Sequence, residues 1–84
     1  MSLIDVDLSI FGQPESRFEE YERQIREEYA WVPATIFAAK RAEILGRFLA
    51  RERIYSTNFF QQKLERRARE NIQGSLRRLR PTIA

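Results

Sequence analysis

The apolar positions of this chain fall into four groups, separated by glycine and proline. Residues 3–11 hold Leu3, Ile4, Val6, Leu8, Ile10 and Phe11, too dense for one narrow amphipathic face. The group reads as a short helix or a helix end, although Val6, Leu8 and Ile10 also alternate as a strand would. Gly12 is expected to stop it from a position just past a helix C-terminus. Pro14 suits the first turn of a second helix, and the glutamates behind it favour the positive end of the helix dipole. Phe18, Tyr21, Ile25 and Tyr29 recur there at three- and four-residue steps. Val32-Pro33 ends that helix, because a residue before proline is pushed out of the helical region.

Pro33 opens a third helix with a stripe of Ile36, Phe37, Ile44, Leu45, Phe48 and Leu49. Ala38, Ala39 and Ala42 allow close approach of a neighbour. Residues 51–55 are the connection, and Ser56, Thr57 or Asn58 suits the N-cap of a fourth helix. That helix carries the clearest period in the chain, through Phe60, Leu64, Ala68, Ile72, Leu76 and Leu79. Gly74 weakens it by about 1 kcal/mol relative to Ala, and Pro81 is expected to end it. The pattern predicts an all-α unit of about four helices over residues 1–84, a small bundle or hairpin array completed by self-association.

Length makes self-association the natural expectation. A chain of 84 residues buries only about 60–65% of its unfolded surface and is marginal without idealised helices or a partner. The composition, 43% hydrophobic and 32% charged, suits a folded domain. No cysteine is present, so no disulfide points to secretion, and a cytoplasmic location fits. Met1-Ser2-Leu3 is too short for a signal peptide, and no apolar run reaches the roughly 20 residues of a membrane span.

The net charge of +3 is unevenly spread. Residues 15–28 hold six glutamates against three arginines, and residues 63–80 hold seven basic residues against Glu65 and Glu70. Opposite charge on two helices favours their packing or cross-pairing. Arg66, Arg67, Arg69, Arg77, Arg78 and Arg80 suit phosphate contacts, but Glu65 and Glu70 interrupt them and no stacking aromatics are interleaved. A solvated helix face is the favoured reading, and nucleic acid is not an expected partner. Trp31, Phe59 and Phe60 cannot all point inward in so small a unit, so one of them is expected to face a partner.

Histidine is absent, and the only aspartates are Asp5 and Asp7. This removes the neutral-pH proton shuttle, the imidazole ligand and any zinc-ribbon spacing. Asp5 and Asp7 are hard oxygen donors. Two residues apart they share a face on a strand but not on a helix, and the bland alternative is a solvated acid pair. No serine or threonine has a histidine base, and Gly12, Gly46 and Gly74 form no phosphate loop.

The order of the segments does resemble a family. Asp5-Val6-Asp7-Leu8-Ser9-Ile10-Phe11-Gly12 resembles the D-x-D-L-S-I-L-G element of bacterial predicted metal-dependent phosphohydrolases of the HD superfamily. The resemblance continues through Ile25-Arg26-x-Glu28-Tyr29-Ala30-Trp31-Val32-Pro33, Arg41 with Ile44-Leu45 and Phe48-Leu49, and Arg53-Ile54-Tyr55-x-Thr57. It ends in Glu65-x-x-Ala68-Arg69-x-Asn71-Ile72 and covers most of residues 3–72. Lys40 stands where relatives tend to have glycine.

The resemblance implies an all-helical phosphohydrolase with a divalent metal, manganese or magnesium, held by histidines and aspartates. The histidine ligands of that family belong upstream of the matched elements. The terminal ligand would be Asp5, with Asp7 the second choice. The chain then corresponds to the C-terminal helical part, truncated or split from its histidine-bearing half. It is expected to hold no metal and to be inactive alone, with that N-terminal half or a second copy as partner. Two other readings stand beside it, a helical protein-interaction module and a weak nucleic-acid binder using Arg66 to Arg80.

Overall fold

The computed structural model describes residues 8–83. Asp5, Asp7 and most of the first expected element lie outside the described residues. Within them the chain is all-helical. A 3-10 turn, Ser9–Gly12, precedes helix α1 (Glu15–Glu28), helix α2 (Ala34–Ala50) and helix α3 (Asn58–Ile83). Three α-helices therefore stand among the described residues, with the 3-10 turn in the place of a fourth.

Proline sets two of the helix starts. Pro14 and Pro33 each sit one residue before their helix, with φ of −51° and −53°. Each proline is fixed near a helix-compatible φ, and its carbonyl accepts the first helical bonds. Arg17 and Phe18 donate to Pro14 O at 2.9 and 3.0 Å, and Phe37 donates to Pro33 O at 2.9 Å. Among the three candidate caps of α3 the position belongs to Thr57. Its Oγ1 accepts the Phe60 N–H at 3.4 Å, and its carbonyl accepts Gln61 N–H at 3.0 Å.

Helix α3 is the spine. Its 26 residues span about 39 Å at the usual rise, matching the 38 Å long dimension of the molecule. Pro81 does not end it as expected, since the helix continues to Ile83. A proline φ is itself helical, and only the bond to the carbonyl of Arg77 is lost, in a last turn whose ends are solvated anyway.

The 3-10 turn and α2 both pack on α3, while α1 and α2 touch each other little. The core contains Phe11, Phe18, Leu45, Ile54, Tyr55, Phe60, Ala68 and Ile72. Phe11 is its aromatic hub, with ring centroids 5.1 Å from Phe48 and 6.2 Å from Phe18. Ile54 and Tyr55 belong to the connection between α2 and α3, yet both are fully buried. The Tyr55 hydroxyl donates to Leu8 O at 2.8 Å, so a buried phenol is satisfied by backbone.

Two expectations change here. Gly12 is not a left-handed helix terminus, because no described glycine has a positive φ. Its lack of a side chain is required by packing: a Cβ there would lie 2.5 Å from Leu64 Cβ on α3. The inward row of α2 also differs from the expected stripe. Ala38 and Leu45 are buried, with Phe48 and Leu49 partly so, while Ile36 and Ile44 face outward. The helix is rotated so that small Ala38 and larger Leu45 meet α3, which leaves two isoleucines on the α1 side.

Candidate functional site: an apolar cleft between α1 and α2

Because α1 and α2 each rest on other elements more than on each other, an open cleft of about 690 Å³ remains between them. Its α1 wall carries Tyr21, Ile25, Glu28 and Tyr29, the solvent-side continuation of the Phe18 stripe. The turn contributes Trp31 and Val32, and α2 contributes Ile36, Phe37, Lys40 and Ile44. Six large hydrophobic residues are notably exposed among the described residues. Four of them line this cleft: Tyr29 at 44%, Trp31 at 79%, Ile36 at 53% and Ile44 at 43%. Scattered exposed hydrophobics need no explanation, but a contiguous set in a concave place marks a contact surface.

The cleft has a polar hinge at its base. Arg41 of α2 grips the Glu22 carboxylate of α1 in a two-pronged ion pair, Nε to Oε1 at 3.1 Å and Nη2 to Oε2. Both side chains are largely shielded from water, at 11% and 15% exposure. Ser75 of α3 donates its hydroxyl to Glu22 Oε1 at 3.2 Å, so one carboxylate ties all three helices. Such a pair adds little net stability over an apolar substitute, but removing one partner strands a charge and costs roughly 3 kcal/mol. Its consequence is positional: it sets the separation of the two walls.

The turn that bears Trp31 is fixed from the same side. Arg26 donates to Tyr29 O at 2.9 Å and lies over the Phe37 ring at 4.8 Å. Val32 N–H donates back to Tyr29 O at 2.9 Å. Trp31 is therefore held out on an ordered turn, 6.3 Å from the Tyr29 ring. Of the aromatics expected to compete for the interior, Phe60 is buried, whereas Trp31 and Phe59 are exposed.

A second, charged cleft of about 400 Å³ lies between α1, the start of α2 and the end of α3. Glu19, Glu22, Arg23, Arg26 and Arg78 line it. Within it Arg78 pairs with Glu19 at 3.2 Å, while Glu22 is held by Arg41 from outside the cleft. Among the described residues, the Arg78–Glu19 pair is the ion pair through which the acidic α1 and the basic α3 meet as their opposite charges suggested.

Three arginines of the basic run of α3 are engaged by carboxylates. Arg69 turns inward onto Glu65 at 2.9 Å, Arg66 pairs with Glu70 at 3.2 Å, and Arg78 is tied to α1. Among the described residues, no three histidine, cysteine, aspartate or glutamate side chains come together as a group that could hold a metal ion. The two candidate ligands, Asp5 and Asp7, lie outside the described residues. No helix among the described residues is long and apolar enough to cross a membrane.

Sequence reasoning missed a structural network on α3. Glu65, Arg69 and Asn71 are all committed to backbone partners: Glu65 to Ile54 and Tyr55, Arg69 to Leu49, Arg51 and Glu52, Asn71 to Phe11 and Gln13. The signal available was the Glu-Arg pair one helical turn apart opposite an apolar Ile54-Tyr55 in a loop. No protein-family model, curated protein or solved structure matches the chain.

Proposed function

We propose that this chain is a helical protein-association unit that docks through the cleft between α1 and α2, with Trp31 as its anchor. The observation that carries the reading is the concentration of exposed Tyr29, Trp31, Ile36 and Ile44 in one concave place on a pinned turn. Interface anchors are typically large, rigid aromatic side chains, with tryptophan foremost. A reducing, cytoplasmic setting suits a chain without cysteine. The test is the fluorescent apolar probe anilinonaphthalene sulfonate at low protein concentration, with amide shifts followed by NMR. Binding at one site, shifting Trp31, Ile36 and Ile44 and lost in Trp31→Ala, is expected. No binding, or binding that shifts other residues, overturns the reading.

A second reading, the C-terminal helical portion of an HD-type phosphohydrolase, is favoured by one specific observation. The residues that carry the resemblance in the second half of the chain coincide with one connected framework, in which Ile54, Tyr55, Ala68, Asn71 and Ile72 are buried and Glu65 and Arg69 bond the connector. On this reading the chain lacks the imidazole ligands such a site needs, since it holds no histidine. Asp5, or else Asp7, is its candidate remnant ligand for manganese or magnesium, and the chain is inactive alone. Phosphatase and nucleotidase assays with either metal are expected to show no turnover. Metal-dependent turnover lost in Asp5→Ala would overturn the claim of inactivity.

A further inference from the structure

We infer that the occupant of the α1–α2 cleft is a second copy of this chain, related by a two-fold axis that runs along the cleft. The inference rests on the docking reading above. Two observations select a second copy over another partner.

The first is the charge on the rim. Glu28 stands on the α1 wall and Lys40 on the α2 wall of the same cleft. Among the described residues neither forms an ion pair or hydrogen bond, while the neighbouring Glu22, Arg26, Arg41 and Glu43 are all engaged. A two-fold interface brings the same surface onto itself, and with the axis running along the cleft between its walls a residue on one wall meets the opposite wall of the partner. Glu28 then faces the partner's Lys40, and Lys40 the partner's Glu28, two complementary pairs from one pair of unpaired charges. A cleft built for an unrelated basic or acidic partner would carry one sign on its rim.

The second is area. Tyr29, Trp31, Ile36 and Ile44 are exposed at 44%, 79%, 53% and 43%. With whole aromatic side chains near 200 Å², they offer roughly 400 Å² per protomer. Specific weak interfaces begin near about 600 Å² per partner. The remaining lining residues and the charged rim supply the difference, placing the pair at the small end of specific dimers. The same contact would cover the hydrophobic surface that an 84-residue chain cannot bury by itself.

Sedimentation of the whole chain over a concentration series tests this. The wild type should pass from monomer to dimer in the micromolar range, and Trp31→Ala should remain monomeric. Glu28→Lys and Lys40→Glu should each weaken the dimer about tenfold or more, since each sets like charges opposite one another twice. The double variant Glu28→Lys/Lys40→Glu should dimerise again, and the two single variants should pair with each other when mixed. All substituted side chains are exposed, and circular dichroism checks that each variant stays folded. A monomeric wild type at near-millimolar concentration overturns the inference, as does a dimer indifferent to both single reversals. The docking reading fails separately: a monomer that still binds the apolar probe at Trp31 loses only the second-copy occupant, whereas one that does not loses both.

Discussion

Glu65 and Arg69, one turn apart on α3 and 2.9 Å from each other, together bond both edges of the connector that joins α2 to α3. The Glu65 carboxylate accepts the backbone N–H groups of Ile54 and Tyr55, at 2.9 and 3.1 Å. Arg69 donates to the carbonyls of Leu49, Arg51 and Glu52, at 3.0, 2.8 and 2.9 Å. The end of α2 would otherwise leave carbonyls without partners. Here a guanidinium with several fixed donors satisfies them, and the same pair holds Ile54 and Tyr55 in the core.

Glu65→Ala is expected to destabilise the fold by roughly 2–3 kcal/mol, because it strands two backbone N–H groups beside the core. Arg69→Ala should cost a similar amount through the carbonyls. The double variant should cost clearly less than the two single losses together, since the pair acts as one unit. Urea denaturation of the four proteins measures this, and strict additivity would show that the two residues act independently.

Two glycines of the chain should respond to alanine in opposite directions. Gly12→Ala places a methyl 2.5 Å from Leu64 Cβ, an overpacking expected to cost about 1–3 kcal/mol. A Cβ at Gly74 meets nothing closer than 3.5 Å, the Arg78 guanidinium, so Gly74→Ala should stabilise α3 by about 0.5–1 kcal/mol. Thermal unfolding of both variants decides it, and a stabilised Gly12→Ala would contradict the close packing of the 3-10 turn on α3.

Asn71 is buried, and its amide donates to Phe11 O and Gln13 O, both at 2.8 Å. Asn71→Leu keeps the volume near constant but leaves two carbonyls unpaired, and should cost about 1–3 kcal/mol. The loss should appear locally as faster amide exchange through residues 9–13 and in Phe18. Unchanged exchange there would mean that the turn is held by Phe11 packing alone.

Trp31 should be nearly silent in stability, because it is 79% exposed. Trp31→Ala is expected to change unfolding free energy by less than about 0.5 kcal/mol in dilute solution. Phe18→Ala, which empties a fully buried site, should cost about 3–5 kcal/mol. Chemical denaturation below the association range compares them. A large loss at Trp31 would place it in the core of the monomer rather than on its contact surface.

Much of the fold can be read along the chain. The 3.6-residue row of Phe60, Leu64, Ala68, Ile72, Leu76 and Leu79 is the inward row of α3, and Pro14 and Pro33 stand at the helix starts. The crowding of large aromatics in a small unit foretold that Trp31 or the Phe59-Phe60 pair would be left outside, and Trp31 and Phe59 are. These are local matters: they depend on residues three or four apart, or on a proline ring and its own backbone.

The cleft was not legible in that way. Whether Ile36 and Ile44 turn in or out depends on which row of α2 reaches α3, and the tighter fit through Ala38 and Leu45 decides it. Arg41 and Ser75 lie 19 and 53 residues from Glu22 in sequence, yet both meet its carboxylate. Gly12 looked like a helix stop and is a packing requirement imposed by Leu64, and Ile54-Tyr55 looked like a linker and fills the centre. Periodicity reports which residues share a face of one helix. It carries nothing about how far that face is rotated toward another helix, because that rotation is set by interlocking side chains from distant parts of the chain. The all-helical class and the phase of α3 thus reside in local chain chemistry, while the α1–α2 cleft and its exposed tryptophan exist only once the three helices have chosen how to pack.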